Sequence, residues 1–239
     1  MSRPINILQL YPKDMNIYGD WGNVLVLKKR LEWHGYQPNI CEYNVGDKLP
    51  SEIDIVVGGG GQDSGQDNVQ HDLLNISANL YELADRKVPM LLICGMYQLF
   101  GHHFITTSGQ KIPGIGLLDV ETVAGPKRLI GNVVAESQDF GTIVGYENHS
   151  GQTTLGKSAI PLAQIRLGAG NNGQDGTEGA RYKNVIGSYL HGSLLPKNPR
   201  LADWLIEQSV INRYGEFQAA KIDESITQEA RTIAINRPR

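Results

Sequence analysis

Met90-Leu91-Leu92-Ile93-Cys94-Gly95-Met96-Tyr97-Gln98-Leu99-Phe100-Gly101 is the stretch that decides the fold. Four apolar residues behind Pro89 predict a short strand buried on both faces, as at the centre of a parallel sheet. Gly95 to Phe100 reads as a helix that Gly101 cuts off. Cys94 stands at the junction. Its side chain is therefore expected at the carboxyl edge of the sheet, over a helix N-terminus that favours thiolate. The residue after a nucleophile at such a turn can offer its N–H to an oxyanion, which gives Gly95 that part. The plainer reading is a small buried hydrophobe, a common fate of free cysteine. Cys41, in a weak strand beside Glu42, reads as structural.

Outward from this stretch, strand and helix alternate. Ile5 to Leu10, Gln37 to Tyr43 and Ile53 to Val57 read as strands, with an amphipathic helix from Val24 to about Gly35. A glycine-rich loop, 58–68, precedes a helix expected from Val69 to Arg86. This order predicts an α/β chain with a doubly wound, mixed, mainly parallel sheet flanked by helices, flavodoxin-like in outline. From Ile105 to Ser188 short strands alternate with Gly, Asn and Pro turns. Gly168 to Gly176 reads as a polar hairpin or mobile loop. Helices are expected over Asn198–Tyr214 and Asp223–Arg237. No linker or repeat interrupts the chain, so residues 1–239 are expected to form a single domain.

Composition narrows the function. Of 239 residues, 40% are hydrophobic and 20% charged, and the formal net charge is −3. That balance leaves no electrostatic footprint for nucleic acid. Two cysteines are too few for a disulfide scaffold. No apolar run reaches the length of a membrane span and no signal-peptide pattern opens the chain, so a cytoplasmic protein is expected. Gly supplies 28 residues, and they cluster at Gly58-Gly59-Gly60-Gly61. A glycine turn after a strand brings bare N–H groups near an anion or oxyanion. No Gly-Lys-Ser/Thr follows, so it is not a nucleotide P-loop.

A cysteine nucleophile needs a base. His34 and His71 lie on helix patterns, and His102 and His103 follow a helix end. His191 follows the strand expected over Val185–Leu190, so it belongs to the same sheet edge as Cys94. A solvated loop histidine is the alternative.

Ile93-Cys94-Gly95-Met96-Tyr97-Gln98-Leu99-Phe100-Gly101, the four-glycine loop, Gly145-Tyr146-Glu147-Asn148-His149-Ser150-Gly151 and Ser188-Tyr189-Leu190-His191-Gly192 together resemble the cobyric-acid-synthase branch of the triad-type glutamine amidotransferases. The opening Tyr11-Pro12 to Asn23 resembles the glutaminase subunits of lipid II isoglutaminyl synthases within it. The resemblance implies that Cys94 attacks the side-chain amide of L-glutamine and forms a thioester, with His191 as acid and base. It implies an oxyanion hole from the N–H of Gly95 and one near Gly59 or Gly60. It implies Arg128 on the substrate α-carboxylate and Gln98 facing the substrate, with no metal and no cofactor in this chain.

The partner implied is a Mur-ligase-like, MurT-type subunit in a heterodimer. That subunit would use ATP and Mg to amidate the D-glutamate of the lipid II stem peptide. A glutaminase for another acceptor, such as a cobyrinate-type acid, and a non-catalytic flavodoxin-like binding module are the alternatives. A peptidase of the same architecture usually carries His beside the elbow cysteine, where Gly95 stands here.

Two departures stand out. Ser193 occupies the place, two residues past the histidine, where many relatives carry the triad acid. The acid is then absent, or comes from Glu147, another segment or the partner. Leu92 and Met96 replace smaller residues around the cysteine, which puts the tightness of the elbow in question.

Overall fold

The computed structural model describes residues 3–238. Its first half runs β1 (Pro4–Leu10), α1 (Gly22–Trp33), β2 (Gln37–Tyr43), β3 (Ile55–Gly58), α2 (Asp63–Asn75), α3 (Ser77–Asp85), β4 (Met90–Ile93) and α4 (Gly95–Phe100). Then come β5 (His103–Ile105), β6 (Lys111–Pro113), β7 (Val120–Ser137), β8 (Gly141–Leu155), β9 (Ala163–Leu167) and β10 (Thr177–Glu178). β11 (Ala180–Tyr182), β12 (Val185–Ser188), β13 (Leu190–His191), α5 (Pro199–Tyr214) and α6 (Ser225–Ile235) complete the order.

The main sheet has the order β11-β12-β4-β3-β1-β2. Its neighbours are parallel except β11 on β12. β3 and β4 are buried at every residue, because helices cover both faces. Burying an aliphatic side chain of this kind contributes about 1.5–3 kcal/mol. The chain leaves β1 toward β2 on one side and returns to β3 on the other. The carboxyl ends of β1 and β3 therefore flank a topological switch point, the usual crevice for a ligand. β4 and β12 end at the same edge. Arg30 of α1 forks onto Asp203 of α5 at 2.6 Å and reaches Glu224 at 2.6 Å, which fixes these helices on one face.

Three expectations change. The helix expected from Val69 begins at Asp63 and is broken at Ile76 into α2 and α3. Gly65, read as loop, sits inside α2. A Cβ there would lie 2.8 Å from the Asp14 carbonyl, so the residue marks close backbone approach rather than a turn. Between Ile105 and Ser188 the expected short strands occur, but in the middle of that segment two long ones, β7 and β8, form a ribbon. Gly125 and Pro126 look like strand breakers but lie in a bulge, where the β7–β8 register shifts between Ala124 and Leu129.

The segment Gly168–Gly176 is anchored at its start. The N–H groups of Ala169 and Gly170 donate to buried Glu147. Buried Asn171 bonds Thr177 and Gly179.

Candidate active site

Cys94 sits between β4 and α4 with φ +52 and ψ −103. That left-handed backbone costs a non-glycine residue on the order of 1–3 kcal/mol and is held by its surroundings. The Cys94 N–H donates to Ser188 O at 2.8 Å, and its carbonyl accepts from Gln98 N at 3.0 Å. The elbow is tight despite Leu92 and Met96. Met96 packs where a Cβ on Gly58 would stand, 2.8 Å from its Cγ, so a glycine makes the room that a smaller neighbour would otherwise supply.

His191, on β13, comes to the same edge. Nδ1 pairs with Asp20, at 3.1 Å from Oδ2 and 3.3 Å from Oδ1, and both side chains are buried. Nε2 is left as the ring atom able to exchange a proton with Cys94. Burial alone would drive the imidazole toward neutrality. The charge of an ionised Cys94 and the bond to Asp20 outweigh it and hold His191 up at about 10.

Asp20 was not singled out from the sequence, because 171 positions separate it from His191. Ser193 explains how it is placed. Its hydroxyl donates to Gly19 O at 3.1 Å. A Cβ on Gly22 would meet that hydroxyl at 2.2 Å. Asn23 Oδ1 accepts from Leu195 N at 2.9 Å. The residue two past the histidine thus laces down the loop that carries the carboxylate. Glu147, the other in-chain acid considered, clasps the 169–170 backbone instead, its Oε2 lying 4.0 Å from Nε2 of His149.

The glycine run lies under this assembly. The Gly60 N–H donates to Asp20 Oδ2 at 2.8 Å and is thereby committed to it. A Cβ on Gly60 would sit 2.7 Å from His191 Cε1 and 3.3 Å from Cys94 Cβ, so its bareness lets Asp20, His191 and Cys94 converge. Gly59 faces the Met15 carbonyl, with its own carbonyl accepting from Met96 N. The Gly61 N lies 3.0 Å from the place of a Cβ on Gly95, and Gly61 lines the cleft with Cys94.

That cleft has a volume of about 580 Å³ and is also lined by Tyr18, Gln66, Gln98, Arg128 and His149. Arg128 lies in the β7 bulge. Its guanidinium donates to the Asn148 carbonyl and side chain at 2.9 Å and to the Tyr18 hydroxyl at 3.2 Å. The Tyr18 ring lies 4.5 Å from that of His191. Gln98 borders the cleft, but its amide is already engaged with Gln66 and the Tyr189 hydroxyl.

His149 stacks on Tyr189 at 3.6 Å and bonds Gly151 O. Burial pushes it down to about 3, and the charges of His191 and Arg128 add to the push. Among the described residues no group of three or more His, Cys, Asp or Glu could hold a metal ion. No helix among them is long and apolar enough to cross a membrane.

A nucleophile at a strained strand-to-helix turn beside a carboxylate-paired histidine is the arrangement of an acyl-transfer site. Residues 6–199 match the CobB/CobQ-like glutamine amidotransferase domain. The chain belongs to this family.

Within the family, this amidotransferase belongs with the GatD subunits of lipid II isoglutaminyl synthase (glutamine-hydrolyzing). It is 36% identical to the subunit of Staphylococcus aureus strain N315, over 98% of this chain and 96% of that one. It is 35% identical to the subunit of Streptococcus pneumoniae strain ATCC BAA-255 / R6, over 94% and 88%. The fold is similar to a solved structure of PurLQS from Thermotoga maritima, with a TM-score of 0.58, 17% identity, and coverage of 89% of this chain and 99% of that one. The amidotransferase is a glutamine-hydrolysing enzyme with an α/β fold.

Proposed function

We propose that the chain, acting as one amidotransferase domain in the cytoplasm, releases ammonia from L-glutamine through a Cys94 thioester. The observation that carries this reading is the convergence of Cys94, His191 and Asp20 around Gly60. The Cys94 thiolate attacks the carboxamide carbon. The N–H groups of Gly95 and Gly61, both bordering the cysteine, hold the oxyanion; Gly61 takes the place expected of Gly59 or Gly60. Collapse of the tetrahedral intermediate expels ammonia, which takes its proton from His191 Nε2. The neutral imidazole then deprotonates a water that hydrolyses the thioester, returning glutamate and the thiol. Asp20 fixes the tautomer and orientation of His191. Arg128, re-aimed by its bulge, holds the substrate α-carboxylate, a task suited to a planar guanidinium. Gln98 supports the wall.

Ammonia is mostly ammonium at neutral pH and must be sheltered to remain a nucleophile. The Gly58–Gly61 run is not followed by the Gly-Lys-Ser/Thr of a nucleotide loop. We therefore assign it a Mur-ligase-like, MurT-type partner that uses ATP and Mg to amidate the D-glutamate of the lipid II stem peptide. Near-full-length likeness to subunits named for that synthase supports this acceptor over a cobyrinate-type acid.

The test is ammonia release from glutamine by the purified chain, then with the co-expressed ligase subunit. Cys94→Ala and His191→Ala proteins that keep the native circular dichroism should lose glutaminase activity together, because nucleophile and base act as a unit. Wild-type turnover by a folded Cys94→Ala protein would remove the mechanism. Equal rates with and without the ligase subunit, and no complex on size exclusion, would remove the partner.

A further inference from the structure

A chain of polar contacts runs through the wall of the cleft and ends without a partner. The hydroxyls of Thr122 and Thr153 lie 2.7 Å apart, and Thr153 meets the Tyr189 hydroxyl at 2.6 Å. Gln98 Nε2 donates to that hydroxyl at 3.1 Å, and Gln98 Oε1 accepts from Gln66 Nε2 at 2.9 Å. Gln66 Oε1 is the free end. Gln66 is 2% exposed, and the oxygen has no hydrogen-bond partner among the described residues. A buried acceptor left in that state calls for a donor.

The place of the Gln66 side chain points to what that donor is. Gln66 lines the same cleft as Cys94 and Arg128. Its Nε2 is 3.3 Å from the place of a Cβ on Gly95, so its amide borders the elbow where the scissile group must lie. The carbonyl oxygen of a substrate carboxamide takes donors, here the backbone N–H groups. Its nitrogen instead offers two N–H donors, and neither Gly95 N–H nor His191 can accept one in the resting pair. An acceptor on this wall complements the amide and repels a carboxylate.

Building on the Cys94 reading above, we propose that Gln66 Oε1 accepts a hydrogen bond from the carboxamide N–H of the bound glutamine. It is thereby a specificity-determining residue that separates the amide substrate from its acid product. The bond also turns the leaving nitrogen in a fixed direction before His191 protonates it.

The decisive comparison is between L-glutamine and the γ-methyl ester of L-glutamate, whose leaving group carries no N–H. Gln66→Met removes the acceptor at similar volume. In the protein as assayed for wild-type activity, KM for glutamine should rise about tenfold, the loss of one buried hydrogen bond. The kcat/KM for the ester should stay unchanged, and inhibition by added glutamate should strengthen. Gln66→Asn, which withdraws the oxygen by one methylene, should give the same selective loss and serves if the Met variant does not fold.

Equal losses on amide and ester would mean that Gln66 only holds Gln98, and would overturn the proposal. No change on either substrate would overturn it too. Cys94→Ala is run alongside. If it still cleaves either compound, the reading of the site itself fails, whatever Gln66 does.

Discussion

Two buried histidines border one active site, one held charged and the other neutral. His191 is held up at about 10 and His149 is pushed down to about 3. Burial works against the charged form in both, so it does not decide between them. The neighbours decide. At His191 the ring nitrogen meets a carboxylate, and a cysteine that can ionise stands on the other side. At His149 one ring nitrogen meets a backbone carbonyl and a tyrosine covers the face; the Glu147 carboxylate stays 4.0 Å from the other nitrogen, and the charges of His191 and Arg128 add to the push of burial. The corner with His191 holds a protonated ring at neutral pH; the corner with His149 supplies a neutral wall.

The largest expected effect comes from making the first corner resemble the second. Asp20→Asn keeps the shape and removes the charge that supports His191. Glutamine hydrolysis should fall by about 10²- to 10⁴-fold, the usual range for a general acid–base group. Its alkaline limb should move to lower pH, because His191 then surrenders its proton earlier. A pH–rate profile of ammonia release checks both, and an unmoved limb would show that Asp20 does not set the charge of His191.

A smaller change removes the other negative neighbour. In Cys94→Ser the ionisable thiol is gone, and His191 should titrate lower by about one unit or more. Histidine ring NMR resonances followed with pH in the wild type and the variant measure this directly.

The smallest effect is on stability. An unfolded histidine titrates near 6.5, so the folded state gains from His191 in full below that pH and loses the gain as pH climbs toward about 10. His149 acts in the opposite sense. As pH falls from 6.5 toward about 3, the unfolded chain takes up a proton that the folded chain refuses. Urea unfolding should therefore show His149→Gln losing less stability over that acid window, by up to about 1.4 kcal/mol per pH unit. A slope equal to the wild type would mean that His149 is not neutral when folded.

The corner that acts was half legible in the sequence. β2 and β4 occur where their apolar patterns placed them, and Cys94 and His191 meet at the expected edge. Both predictions rest on short-range signals, an apolar run and the turn that ends it. Asp20 gave no such signal, because its role depends on a contact across most of the chain. The glycine run was read as a bed for an anion. Its bareness also admits His191, Asp20 and Met15, neighbours that no local pattern announces. Gly125 and Pro126 misled for a related reason: a bulge in a long ribbon and a turn between short strands use the same residues.

The lacing of residues 19–23 to residues 191–195 also bears on the order in which the enzyme becomes reactive during synthesis. Cys94 leaves the ribosome in the middle of the chain, with His191 roughly a hundred residues behind it. Contacts so distant in sequence form late, since the loop between them must close first. Until then Cys94 has no histidine to draw its proton and no finished elbow to expose it. The nascent enzyme therefore passes through synthesis with a thiol of only ordinary reactivity, and is armed only when its two distant segments lock together.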